Sequence, residues 1–325
     1  MKILVTGGAG YIGSIVTEYL IEAGHEVVIV DNLSTGHREA VDERATFHHG
    51  DLLDGDFIRG VLGDGIEAVC HFAAFSLVSE SVADPLKYYR NNIGGAVSLV
   101  GAMAETGVEH FLFSSTAAVY GEPDETPITE DAPLRPVNAY GNTKLAIERL
   151  LADSAGAWGL KSLSLRYFNA AGASRLHGED HDPETHLIPI ILGVVLGVRT
   201  ELIVYGDDYD TPDGTCIRDY IHVKDLATAH VLALERLAAG VTGAVNLGNG
   251  QGFSVLDVVR AAGEVTGREI PYRIGPRRPG DPPILVASSR RAEELLGWER
   301  AQPGIETIIE DAYQWHRTYP HGYGS

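Results

Sequence analysis

The sequence predicts an α/β fold: a doubly wound parallel sheet joined to a smaller C-terminal α/β lobe. Three observations predict it. A strand, a glycine turn and a helix follow one another at the N-terminus, apolar runs alternate with helical stretches through the first half, and the texture changes near Gly172 to loops rich in Gly, Asp and Pro. Such alternation is the mark of β-α-β units, whose strands lie parallel.

Lys2-Ile3-Leu4-Val5-Thr6 is the first strand. It feeds Gly7-Gly8-Ala9-Gly10-Tyr11-Ile12-Gly13 and an apolar-periodic helix from Tyr11 to Ala23. Glycines at that spacing let the backbone approach a pyrophosphate, and the helix N-terminus offers it unpaired N–H groups and partial positive charge. A second run, Glu26-Val27-Val28-Ile29-Val30-Asp31, ends in an acid placed to accept from an adenosine ribose hydroxyl and to repel a 2′-phosphate. NAD is therefore favoured over NADP. A tight turn in a ligand-free sheet is the plainer alternative, and the acid and the motifs downstream argue against it.

Glu67 to Ala73, His110 to Ser115 and Lys161 to Phe168 are further apolar runs. The second leads into Phe113-Ser114-Ser115-Thr116-Ala117-Ala118-Val119-Tyr120-Gly121, so hydroxyl residues fall at the carboxyl edge of the sheet, where ligands of such folds bind. Thr116 can there bond a substrate hydroxyl; strand capping uses the same residue types.

In Ala139-Tyr140-Gly141-Asn142-Thr143-Lys144-Leu145-Ala146 the tyrosine and lysine stand four apart, on one face of a helix. A free tyrosine, with a pKa of about 10, is a poor base at neutral pH. An ammonium at roughly 4 Å, with an effective dielectric of about 20, contributes about 4 kcal/mol, some three pKa units before solvent screening. That suffices to make a phenolate a usable base. Alone, the spacing equally describes a surface tyrosine and a solvated lysine; the glycine turn upstream gives it meaning.

Beyond Gly172 the later elements are Glu201 to Tyr205, Ala244 to Leu247 and Ile270 to Ile274. They suggest residues 1–171 as a dinucleotide-binding domain and 172–325 as a substrate-binding lobe interleaved with the main sheet, with no repeat or low-complexity linker. A formal charge of −20 excludes nucleic acid and anionic membranes as natural partners and requires local cations for any anionic substrate. No apolar stretch reaches membrane-spanning length, and Met1 leads directly into a strand without a signal pattern, so a cytoplasmic protein is expected. Cys70 and Cys216 suggest neither a disulfide framework nor a metal site. The segment Gly178-Glu179-Asp180-His181-Asp182-Pro183-Glu184-Thr185-His186 looks like a ligand cluster, but its spacing matches no standard zinc pattern, and no metal is expected.

More specific motifs run nearly end to end: Asp31-Asn32-Leu33, His49-Gly50-Asp51-Leu52, Phe72-Ala73-Ala74, Tyr88 to Asn92, Leu165-Arg166-Tyr167-Phe168-Asn169, His186-Leu187-Ile188-Pro189, Asp213 to Val223, and Arg277-Arg278-Pro279-Gly280-Asp281. On these the chain resembles the UDP-glucose 4-epimerase family of the extended short-chain dehydrogenase/reductase superfamily. The resemblance implies a Rossmann sheet with Gly7, Gly10, Tyr11, Ile12, Gly13, Asp31, Asn32, Asp51, Leu52, Phe72, Ala73, Ala74, Asn92, Ser114, Tyr140, Lys144, Tyr167 and Phe168 at NAD positions. Asp51 would accept from the adenine amino group. It implies Tyr140 as catalytic base, Lys144 as the lysine that holds the NAD ribose and tunes that base, and Thr116 as the hydroxyl that contacts the sugar.

A UDP-hexose would meet Thr116, Tyr140, Asn169, His186, Leu187, Val204, Tyr205, Arg218, Tyr220, Arg278, Asp281 and Leu285. Among these, Arg218 and Arg278 would neutralise the diphosphate and Asp281 would contact the uridine ribose. The reaction implied is epimerisation at sugar carbon 4: tyrosinate takes the hydroxyl proton as hydride passes to the nicotinamide, and the 4-keto sugar turns over before the return step. Two departures stand out. Ser76 occupies a position where some members carry a lysine near the cofactor, and Thr116 stands where others have serine. A homodimer is implied, with Leu86 to Glu105 and Tyr140 to Ala155 as the candidate interface. Another nucleotide-sugar epimerase, a dehydratase or decarboxylase of the same fold, and a non-catalytic NAD sensor are the alternatives. A dehydratase needs carboxylates where Ala117 and Ala118 stand, and a sensor has no use for Tyr140, Lys144, Arg218 and Arg278 together.

Overall fold

Residues 1–278 and 281–324 are described by the structure, a computed structural model; Pro279 and Gly280 of the Arg277 to Asp281 motif, and Ser325, lie outside the described residues. The strands are β1 (Lys2–Thr6), β2 (Glu26–Asp31), β3 (Thr46–His49), β4 (Ala68–His71), β5 (His110–Thr116), β6 (Lys161–Tyr167), β7 (Asn169–Ala171), β8 (Leu202–Tyr205), β9 (Ile217–His222), β10 (Gly243–Leu247), β11 (Gly252–Ser254), β12 (Tyr272–Gly275) and β13 (Ile284–Leu285). Seven form a parallel sheet in the order β10-β6-β5-β4-β1-β2-β3.

Its strands read as continuous apolar runs because helices cover both faces. Successive residues point to opposite faces. Ile3, Val5 and Leu112 pack with the helices Tyr11–Glu22 and Val223–Ala238. Leu4, Val28, Phe111 and Phe113 pack with Gly55–Leu62, Gly94–Thr106 and Ala139–Trp158. Between β1 and β4 the winding reverses, which leaves a crevice above their carboxyl ends.

Several boundaries differ from the expectation. β4 ends at His71 because the N–H groups of Phe72 and Ala73 both turn to the Thr6 carbonyl, at 2.9 and 3.0 Å. β3 is polar and sits at the sheet edge, so it carried no apolar pattern to read. The helix expected over Leu86 to Glu105 is broken into Pro85–Tyr88, a π-turn Tyr89–Ile93 and Gly94–Thr106, and buried Asn92 lies in that turn.

From beyond residue 172, β10 pairs with β6 in the main sheet. The remaining strands form two small sheets: β11-β9-β13 with β7 on β9, and β12-β8. A separate apolar cluster supports them, contributed by the helices Leu187–Val195, Val255–Thr266 and Ile305–Thr318.

Candidate active site

At the β1 turn, Gly7 has φ +76°, and a Cβ there would lie 2.5 Å from the Ala73 nitrogen. A Cβ on Gly13 would lie 2.2 Å from the Gly7 carbonyl oxygen. Both positions exclude a side chain. Gly10 caps the first helix without a side-chain bond, so the helix geometry leaves the first-turn N–H groups, on Tyr11, Ile12 and Gly13, without intrahelical acceptors.

Beside the turn lies a cleft, and Gly7, Gly10, Asp31, Asn32, Asp51, Leu52, Phe72, Ala73 and Ala74 all line it. Asp31 accepts from the N–H groups of Ala9 at 3.0 Å and Leu33 at 2.8 Å. Burial raises its pKa, and those two bonds oppose the rise. Asn32 donates to Asp51 at 3.0 Å. This glycine cradle, helix start and buried acid fit a dinucleotide. Sequence reasoning did not mark Ser34, Thr35, Gly36, Phe75 and Asn91, which also line the cleft. The Ser34-Thr35-Gly36 stretch directly after Asp31-Asn32-Leu33 was the available signal.

Several expected cofactor residues also make contacts within the protein. The Asn92 amide donates to the Phe75 carbonyl at 3.1 Å and accepts from the Phe75 N–H at 2.9 Å. Its role here is to hold the cleft wall. The Tyr11 hydroxyl donates to the Gly172 carbonyl at 2.7 Å. Tyr167 is buried in the core with its ring 5.7 Å from that of His230, and the Phe72 ring lies 5.1 Å from the same imidazole.

The helix Ala139–Trp158 starts on an Asn138 cap that accepts from the Gly141 N–H, and its first turns bring Tyr140 and Lys144 to the end of β5. Lys144 is buried and donates to the Ser114 carbonyl at 2.7 Å, with its ammonium 5.9 Å from the Tyr140 ring centre. Burial lowers its pKa to about 7, and the Glu148 charge acts the other way. Tyr140 differs from the expectation. Burial raises its pKa, and a hydrogen bond with Thr116 opposes the rise. The physical reason is direction: the ammonium points to a backbone carbonyl. Thr116 also accepts from the Ala118 N–H at 3.2 Å.

Behind this group lies a buried chain absent from the sequence reading. Glu148 accepts from Ser115 at 2.6 Å and from two nitrogens of Arg166, at 2.9 and 2.6 Å; Arg166 donates to the Tyr120 hydroxyl at 3.0 Å. Its members lie far apart in sequence; Ser115, Tyr120 and Arg166 stand in motifs read from the sequence, but nothing there paired them with Glu148, one turn after Lys144.

On the other side, Arg218 is buried in β9 and pairs with Asp281, while the Arg278 guanidinium lies 4.3 Å from the Tyr205 ring centre. Leu285 of β13 stands in register with Arg218 and packs on the cluster of Ala117, Val119 and Leu145, as Phe168 does. The strand that carries Arg218 is thus tied to the turn that follows Thr116. Asn169 opens β7 opposite Tyr220. Val204 and Tyr220 belong to the apolar cluster of the C-terminal lobe. Leu187 opens the helix Leu187–Val195 behind a His186 cap. The His186 imidazole turns to Glu179 at 2.7 Å and Glu184 at 3.1 Å rather than standing free.

Comparison with known proteins agrees with this geometry. The model of the NAD dependent epimerase/dehydratase family matches residues 3–248. The UDP-glucose 4-epimerase of Lacticaseibacillus casei is 53% identical over 328 residues, covering 100% of this chain and 99% of that protein. The crystal structure of the Brucella ovis UDP-glucose 4-epimerase in complex with NAD matches with a TM-score of 0.94 and 49% identity, over 97% of this chain and 98% of that one. The Bifidobacterium longum enzyme in complex with NAD+ and UDP matches with a TM-score of 0.95 and 39% identity, over 99% and 100%.

Proposed function

The chain belongs to the NAD dependent epimerase/dehydratase family, and from that premise we propose that it interconverts UDP-glucose and UDP-galactose by redox-neutral epimerisation at sugar carbon 4. One observation carries the reading to this chain. Tyr140, Thr116 and Lys144 meet at the carboxyl end of β5, in the same parallel sheet as the β1 glycine turn, and Leu285 ties that point to the Arg218–Asp281 pair. The division of labour follows: residues 1–171 hold the dinucleotide and 172–325 hold the UDP-sugar.

Gly7, Gly10, Asp31, Asn32 and Asp51 would hold NAD. NAD, when bound, supplies the two-electron acceptor and donor at carbon 4 and the positive charge of its oxidised ring. The Tyr140 phenolate accepts the proton of the carbon-4 hydroxyl and later returns it. Thr116, bonded to Tyr140, orients that hydroxyl, and Lys144, on the same face of the helix, would hold the cofactor ribose. Arg218 and Arg278 bind the diphosphate, for which a planar guanidinium fork is suited. Anchoring the remote UDP lets the keto sugar turn between its two faces while it stays in the site. The homodimer reading is supported by the apolar side chains Leu86, Tyr89 and Val97, all exposed within Leu86 to Glu105. A cytoplasmic setting suits the two unpaired cysteines, Cys70 and Cys216. No helix among the described residues is long and apolar enough to cross a membrane.

The test is to supply purified protein with UDP-galactose and no added NAD. UDP-glucose should form, and denaturation should release NAD(H). Activity strictly dependent on added NAD, with no nucleotide released, would point to an ordinary dehydrogenase instead.

A further inference from the structure

Between β7 and the helix Leu187–Val195 the chain runs without a regular element, yet it gathers four metal-ligating side chains, Glu179, His181, Glu184 and His186, whose ligand atoms all lie within 4.8 Å of one another. The Nδ1 atoms of both imidazoles lie close to one oxygen, Glu179 Oε1, at 3.2 Å from His181 and 2.7 Å from His186. Glu184 closes the group, 3.1 Å from His186 and 3.7 Å from His181. Zinc bonds of about 2.0 to 2.2 Å place tetrahedral ligand atoms about 3.3 to 3.6 Å from one another. The observed separations bracket that edge.

Charge supports the same conclusion. Glu179 is only 5% exposed, and the two imidazole rings stand 5.2 Å apart. As a set of ion pairs, the group would hold two cationic rings side by side. With neutral imidazoles, the two carboxylates balance one divalent cation. Mixed imidazole and carboxylate donors suit a borderline first-row ion; magnesium and calcium prefer all-oxygen sites.

We propose that Glu179, His181, Glu184 and His186 form a structural site for one divalent first-row metal ion, zinc by donor set, outside the reaction chemistry. The ion would staple an irregular segment to the nucleotide turn, because the His181 ring stands edge-on to Tyr11, whose hydroxyl holds Gly172. It would also fix the start of the helix that Leu187 opens.

Wild-type protein, stripped with a chelator and titrated with Co2+, should develop the visible absorption of a four-coordinate ion, saturating at a single equivalent per chain. Zinc should displace the cobalt and raise the melting temperature. Glu179→Gln and His181→Ala should each weaken cobalt binding at least about 10-fold, the least that loss of even an outer-shell partner costs. A wild-type protein that keeps no zinc through gel filtration and shows only the spectrum of hydrated Co2+ would overturn the site and leave a His/Glu ion-pair cluster only. Both readouts use the wild type, so they decide for or against the site even where a variant fails to fold.

Discussion

Lys144 donates to the carbonyl of Ser114 at 2.7 Å, and that bond fixes the ammonium at the end of β5, with Glu148 one turn further along the same helix. Two opposing forces act on it there. Burial disfavours the charge and Glu148 favours it.

This balance makes stability depend on pH. The lysine has a pKa of about 7 in the folded chain, against 10.5 as its ordinary value. Between those values the unfolded chain holds the proton and the folded chain does not, so stability rises with pH across that window. Lys144→Met removes the titration. Measured as the urea midpoint of wild type minus that of Lys144→Met, the difference should climb from pH 7 towards pH 10; a flat difference would show that the lysine titrates normally.

Glu148→Gln should strand Arg166, whose side chain is 6% exposed. Breaking a buried pair by removing one partner typically costs about 3 to 5 kcal/mol. Equilibrium unfolding should show a loss of that order, and one below about 1 kcal/mol, the scale of an exposed pair, would mean water already reaches the pair.

Tyr140→Phe keeps the ring and removes the proton carrier. Turnover should fall by about 10²- to 10⁴-fold while NAD and UDP remain bound. A variant that keeps more than about a tenth of wild-type turnover would rule out Tyr140 as the base.

Leu285 is intermediate in bulk and offers an acetamido group no polar partner. UDP-N-acetylglucosamine should be turned over about 10- to 200-fold less efficiently than UDP-glucose, the range a modest pocket misfit produces. Leu285→Tyr should abolish the weaker activity and spare the main one. Equal kcat/KM for plain and acetylated sugars would sink this expectation.

Legibility in the sequence followed locality. The β1 turn, Asp31, Thr116 and the Tyr140–Lys144 spacing are each read within one strand, turn or helix, and each stands at the edge of the parallel sheet. The Glu148, Arg166 and Tyr120 network was not legible, because three separate elements supply it. Where the Lys144 ammonium points could not be read either, since spacing fixes a helix face and not the acceptor. His186 shows the same limit: its partners come from an irregular loop, whose path no periodicity encodes.

The pairing of β10 with β6 has a consequence for synthesis. Until Leu247 leaves the ribosome, β6 is a bare sheet edge, a template for pairing with another chain. At about 5 to 20 residues per second, the roughly 80 residues between Tyr167 and Leu247 take about 4 to 16 s. Nascent chains that stall in this interval should be the ones that aggregate.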